Sequence, residues 1–208
     1  MNNPAVKTAQ IKNTVFDLGA VLLEWDPEDI AEQFSGNESE KELLLNSVFY
    51  HQDWKRLDLG HIDANQAIQC FAGNSGLSLP LMESLMEFIK GYLTAKEESV
   101  ALLKELQQRG HRVFCLSNIC RELYDHVTEQ NPFFGLFEDA IVSADIKLAK
   151  PDPRIFEYML TRFNIRPEET LFIDDMPANI ESANQLGIQG IRFTEIDDCR
   201  RAISNIIE

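Results

Sequence analysis

The 208-residue sequence predicts an α/β protein: a parallel sheet covered by helices on both faces, with a small helical segment lodged after the first strand. Three observations carry that prediction. Short apolar runs at Val15-Phe16, Arg112–Leu116 and Leu171–Ile173 alternate with helical periodicities. Each run ends in residues able to do chemistry: Asp17, Ser117-Asn118 and Asp174-Asp175. Between Asp29 and about Leu93 the β-type runs vanish and helical segments follow one another.

In chain order, MNNPAVKTAQIKN lacks the apolar centre of a signal peptide and reads as a short arm. The stretch NTVFDLGAVLL follows, and its apolar run drives straight into Asp17. A buried parallel strand has this composition, and open α/β sheets place ligands beyond the carboxyl ends of their strands. An acid ending a strand also commonly begins a solvated loop, so Asp17 acquires meaning only from what converges on it. Helices are expected at Pro27–Phe34, Ser39–Val48, Asp63–Phe71 and Pro80–Tyr92. Breaks fall at Ser35-Gly36-Asn37, Asp58-Leu59-Gly60 and Gly73-Asn74-Ser75-Gly76. Asp63 is suited to cap its helix, and Pro80 to a first turn.

Strand and helix then alternate. Glu97–Arg109 carries Val100, Leu103 and Leu106 on one face and stops at Gly110. Arg112–Leu116 is a strand, Arg121–Gln130 a helix and Ala140–Val142 a further apolar segment. Pro153–Asn164 presents a helical stripe of Ile155, Phe156, Met159, Leu160 and Phe163. Leu171–Ile173 is a buried strand, Ala178–Leu186 a helix stopped by Gly187, and Gly190–Phe193 the last strand.

Composition narrows the function. There are 34 acids against 19 bases, a net charge of −15. Such a surface repels a phosphate backbone, which argues against a nucleic-acid partner. It repels small anions too, so a phosphate site here must contain its own positive charge. No apolar run reaches membrane-spanning length. The four cysteines form no zinc or redox spacing, which reads as a reduced, cytoplasmic protein.

In a parallel sheet the three polar strand ends lie along one edge. Adjacent acids such as Asp174-Asp175 repel one another, and a hard cation relieves the repulsion; Mg2+ takes one or two carboxylates together with phosphate oxygens. The same pair could instead cap the helix near Pro177. Lys150, in KLAKPDPRIF, is constrained by Pro151 and by the helix start at Asp152-Pro153, and supplies the missing cation. Lys147 is its nearby decoy. Ser117-Asn118 offers a hydroxyl and amides before a helix, suited to phosphate oxygens.

The order FDLGAV, LSN, KPDPRIF, FIDDMPANIESA resembles the haloacid dehalogenase superfamily, across residues 11–24 and 94–208. Residues 25–93 resemble its helical cap. DLG, together with LDLGHID, is similar to the α-D-glucose-1-phosphate phosphatase branch. The resemblance implies a Rossmann-like core and a Mg2+-dependent phosphatase acting on a small phosphorylated metabolite, a sugar phosphate such as glucose 1-phosphate being one candidate. It implies Asp17 as the nucleophile that becomes an aspartyl-phosphate. Mg2+ would be held by Asp17, the Gly19 carbonyl and Asp175, with Asp174 in support. Ser117 and Asn118 would bind phosphoryl oxygens, Lys150 would pair with Asp17 and the phosphate, and Asn179 would orient the acids.

One departure stands out. Many members carry a second Asp two residues after the nucleophile as general acid, and here that position is Gly19. Asp26 or Glu24 is the expected substitute. A slow or non-catalytic phosphate- and Mg2+-binding protein is therefore an alternative. So is a 2-haloacid dehalogenase, although that chemistry needs no metal and leaves Asp174-Asp175 unexplained. Cap residues such as His51, Asp53, Trp54 and Arg56 match no particular ligand, and Trp54 reads as cap core.

Overall fold

A computed structural model describes residues 10–207; residues 1–9 of the expected arm lie outside that range. Five parallel strands form one sheet: β1 (Asn13–Phe16), β2 (Arg112–Ser117), β3 (Asp139–Val142), β4 (Thr170–Asp174) and β5 (Gln189–Arg192). The order is β3-β2-β1-β4-β5, so the sheet winds outward in both directions from the β1/β4 boundary. That boundary is the switch point where open α/β sheets leave a crevice.

Side chains alternate across the strands. Val15, Phe114, Leu116 and Phe172 pack into one apolar layer with Phe156 and Met159. Phe16, Val113, Cys115, Leu171 and Ile173 enter the layer on the opposite face. Both layers are buried, which is why the strands read as continuous apolar runs and not as half-polar ones. Helices α9 (Pro153–Phe163) and α10 (Pro177–Gln185) cover the first face; α6 (Glu97–Gln108), α7 (Arg121–Gln130) and α11 (Ile196–Ile207) supply the second, and the one-turn α8 (Ser143–Ile146) follows β3.

The cap comprises α1 (Pro27–Phe34), α2 (Glu38–Leu44), α3 (Gln52–Asp58), α4 (Ala64–Ser75) and α5 (Leu79–Tyr92). Its two connections to the core run side by side: the Glu24 amide donates to the Thr94 carbonyl at 2.8 Å, and the Lys96 amide to Leu22 at 2.9 Å. Caps follow the chemistry of their residues. Asp63 and Gln66 form a reciprocal capping box at the start of α4, and Asn37 caps α2.

Several boundaries depart from the sequence reading. The helix expected over Ser39–Val48 gives way after Leu44 to a π-helical turn, Leu45–Phe49. The expected break at Gly73 is absent: α4 runs through to Ser75 and stops only at Gly76, whose φ of 72° a glycine adopts without strain. Neither α3 nor α11 was expected. Helix α3 has seven residues and His51 as an unusual cap, and so lacks a readable start signal. In α11 the buried Cys199 and Ile203, with Ile196, Ile206 and Ile207 packed beside them, form an apolar stripe at helical spacing that is legible in the sequence.

Candidate active site

Residues from four separate segments meet at the strand tips beside the switch point. In the register of the sheet Phe16 is level with Cys115 on β2 and Ile173 on β4, so the next residue, Asp17, stands level with Leu116 and Asp174. The Asp17 amide donates to the Ile173 carbonyl at 2.9 Å, which fixes the acid to the end of β4. Its Oδ1 accepts from the Leu18 amide at 2.8 Å.

Lys150 sits between the acids. Its Nζ lies 2.8 Å from Asp17 Oδ1 and 2.7 Å from Asp174 Oδ2, and donates to the Leu116 carbonyl at 2.9 Å. All three ammonium protons thus have an acceptor, the condition for holding a lysine that is only 4% exposed. Burial opposes the charge on Lys150, but the two carboxylates outweigh it and the pKa moves up. Lys147, the decoy, takes a left-handed turn and donates to the Gly60 carbonyl, away from the acids.

Asp174 is fully buried and saturated. Oδ1 accepts from the Met176 amide at 2.8 Å, and the Asn179 side chain donates to both oxygens, at 2.8 and 3.0 Å. The last motif's Asn179 is therefore clamped to Asp174. Asp175 is only partly buried, and its carboxylate is raised by burial and by its neighbour Asp174.

The carboxylates of Asp17, Asp174 and Asp175 bring oxygens within 4.8 Å of one another. Three carboxylates against one ammonium leave a formal charge of −2 in a largely buried space. Burial first, with Asp174 and Asp175 adding, pushes Asp17 up to about 8 against the pull of Lys150. A divalent cation with oxygen preference fits this donor set and would relieve that strain.

Ser117, 2% exposed, ends β2. The Asn118 side chain faces Lys150: Nδ2 donates to the Lys150 carbonyl and the Lys150 amide donates to Oδ1, both at 2.9 Å. Ser117, Asn118, Asp17, Gly19, Asp175 and Asn179 all line a cavity of about 510 Å3 between core and cap.

Asp26 lines the same cavity. It is exposed, and its Oδ1 caps α1 by accepting from the Glu28 and Asp29 amides at 2.9 and 3.2 Å. Glu24 is exposed as well and lies outside this cavity. The second acid that reaches the cavity from the cap is Asp58, the last residue of α3. Burial, with the charge of Asp17 adding, drives its carboxyl well above the ordinary range, although the Trp54 side chain and the Cys120 backbone act against this. Its own carbonyl accepts from Ser143 Oγ at 2.5 Å, and the same Oγ accepts from the Ile119 amide at 3.0 Å. One serine thereby ties the end of α3 to the loop after β2. The sequence places a break at Asp58-Leu59-Gly60 and singles out LDLGHID, which begins one residue before Asp58, but neither marks the acid as part of the site.

Elsewhere in the cap, Asp53 accepts from Arg56 at 2.6 Å and from Asn74 at 2.9 Å, with His51 Nδ1 3.1 Å away. This network is internal to the cap. Trp54 is 8% exposed and stacks on Phe71, as expected for core, yet it also lines the cavity.

An open parallel sheet bearing an acid-and-lysine cluster at its switch point, under a helical cap, defines a class of α/β hydrolytic enzyme built around a carboxylate. The particular family is established by sequence: residues 11–187 match the haloacid dehalogenase-like hydrolases, and the chain belongs to that family. A sesquiterpene phosphatase of Aspergillus oryzae is 25% identical, covering 88% of this chain and 90% of its own length. A D-ribitol-5-phosphate phosphatase of Bacteroides thetaiotaomicron is 24% identical, over 95% of this chain and 98% of that protein. Among solved structures, a HAD family enzyme from Bacteroides thetaiotaomicron in complex with magnesium and inorganic phosphate superposes with a TM-score of 0.71. It is 26% identical and covers 88% of this chain and 94% of its own. No helix among the described residues is long and apolar enough to cross a membrane.

Proposed function

We propose that this chain is a Mg2+-dependent phosphomonoesterase acting on a small phosphorylated substrate through an aspartyl-phosphate on Asp17. The observation that carries the reading is the placing of Lys150 Nζ at 2.8 and 2.7 Å from Asp17 and Asp174, with a third carboxylate close by. A dehalogenase, which needs no metal, gives that third acid no work; the phosphatase reading does.

Asp17, Asp175 and the Gly19 carbonyl would hold the ion, with Asp174 oriented by Asn179 behind them. When bound, Mg2+ supplies positive charge that offsets repulsion between the nucleophile and the phosphoryl group. Asp17 attacks phosphorus and the ester P–O bond breaks. Lys150 stays paired with Asp17 until attack and then faces the transferred phosphoryl group. Ser117 and the backbone amide of Asn118 receive phosphoryl oxygens at the end of β2. Hydrolysis of the acyl phosphate by water returns the Asp17 carboxylate and frees phosphate.

The leaving oxygen needs a proton, and Gly19 has none to give. Asp58 fills that role in this reading: the desolvation of its half-buried carboxyl favours the protonated form, and Ser143 holds its backbone beside the phosphate loop. After donating, the Asp58 carboxylate accepts the proton of the attacking water.

The relatives do not agree on the alcohol; one is named for ribitol 5-phosphate and another for a sesquiterpene. Glucose 1-phosphate, suggested by the DLG resemblance, belongs with the first kind. The test of the reaction class is phosphate release from a panel of monophosphates with Mg2+, beside EDTA and the Asp17→Asn protein. Turnover that needs the metal and falls at least about a thousandfold in the variant supports the reading; turnover indifferent to both refutes it.

A further inference from the structure

We propose that the substrate of this site is the monophosphate of an apolar alcohol, aliphatic or aromatic, and not of a polyol; the inference rests on the phosphatase reading above. The cavity between cap and core, about 510 Å3, is large enough for a substrate with a sizeable body behind its phosphate. Asp17, Lys150 and Asp175 sit at the strand tips, and Asp26 and Asp58 reach in from the cap. The rest of its wall is Trp25, Phe49, Trp54, Ile119, Leu123 and Met176, with other apolar side chains between them.

Three of these make an aromatic patch. The Trp25 and Trp54 rings are 5.5 Å apart between centroids, Phe49 and Trp54 5.2 Å, and Trp25 and Phe49 6.1 Å. The π-helical turn at Leu45–Phe49 is what brings Phe49 into this group.

A sugar or polyol could lay its C–H faces on such rings, but its hydroxyls would still need partners, and most polar groups of the wall are already engaged, the second Asp26 oxygen and the Asn179 carbonyl being the exceptions. Both ends of the Asn118 side chain are held by the Lys150 backbone. The Asn179 amide nitrogen is spent on Asp174, and Asp26 caps α1. The Tyr50 hydroxyl donates to Glu28 at 3.3 Å. Ser117, Asp17, Lys150 and Asp175 belong to the phosphate end, and Asp58 to the leaving oxygen. A hydroxyl buried here without a partner costs roughly 10–100-fold in binding.

The rim points the same way. Tyr50 is 60% and Met176 52% exposed, and both border the mouth of this cavity. Large apolar side chains left in water beside a site gain most from a ligand that covers them.

The test compares kcat/KM, with Mg2+, for n-alkyl monophosphates from ethyl to octyl, for glucose 1-phosphate and ribitol 5-phosphate, and for p-nitrophenyl phosphate as a chemically easy control. We expect kcat/KM to climb about fourfold per methylene until the cavity is filled, and octyl phosphate to exceed both polyol phosphates at least 100-fold. Met176→Ser, at an exposed position, should lower the slope of the series. A flat alkyl series, or a polyol phosphate hydrolysed faster than octyl phosphate, overturns the proposal and leaves the phosphatase reading intact. Absence of turnover on every compound, the control included, overturns the phosphatase reading and the proposal with it.

Discussion

Asn118 and Lys150 hold each other by a reciprocal pair of hydrogen bonds, each 2.9 Å, between the side-chain amide of one and the main chain of the other. The loop after β2 thereby sets the position from which Lys150 reaches the acids on β1 and β4. Replacing Lys150 by Met leaves Asp17 and Asp174 buried without their counter-charge. Loss of one partner of a buried pair costs about 3–5 kcal/mol. Urea unfolding of Lys150→Met should show a deficit of that size, and saturating Mg2+ should shrink it, since the ion replaces part of the missing charge. A deficit unchanged by Mg2+ would contradict the placing of the cation at these acids.

Asp58→Asn separates proton donation from binding. p-Nitrophenolate leaves without a proton, so kcat/KM for p-nitrophenyl phosphate, which reports formation of the aspartyl-phosphate and not its hydrolysis, should stay within a few-fold of the parent protein. Ethyl phosphate, whose leaving group needs the proton, should lose about 10²–10⁴ in kcat/KM. Equal losses on both substrates would reduce Asp58 to a structural residue of the cap.

Gly60 is a joint between cap and core. Its φ is +57°, and a Cβ there would meet the Ala144 carbonyl oxygen at 2.6 Å. Gly60→Ala should cost about 1–2 kcal/mol from backbone conformation alone, with the backbone contact adding to it. Because Asp58 lies two residues earlier, kcat on ethyl phosphate should fall with the stability. Unchanged denaturation midpoints and rates would show that the turn yields freely.

The start of α9 gives a pH dependence. Asp152 caps that helix, and the Arg154 side chain and backbone amide hold its carboxyl down at about 2, against an ordinary value of 3.8. A depressed folded-state pKa contributes stability that is complete above the ordinary value and is lost as the pH falls from there through about 2. Asp152→Ala should therefore cost about 1 kcal/mol at neutral pH. Its deficit relative to the parent should shrink between about pH 4 and pH 2 in urea titrations. A deficit that stays constant down to pH 2 would mean that the carboxylate charge plays no part in the cap.

The sequence by itself determined the sheet and the core of the site. Val15-Phe16, Val113–Leu116 and Leu171–Ile173 are buried on both faces, so their apolar character is continuous and readable. Asp17, Ser117 and Asp174 mark where each run stops, and the parallel topology those runs imply already sends them to one edge. Pro151 and Pro153 are local constraints, and local constraints are what a sequence displays; they separated Lys150 from Lys147.

Only the tertiary structure decided the rest. That Asn118 clasps Lys150, that Ser143 ties Asp58 to the loop after β2, and that one oxygen of Asp26 caps a helix are contacts that cross long stretches of chain or depend on a neighbour's geometry. Asp26 and Asp58 are both acids near a turn in the sequence. One accepts two amide hydrogens in water; the other is driven towards its neutral form by burial under the cap. The difference is desolvation, which depends on everything packed around a carboxyl and on nothing in its immediate neighbours along the chain.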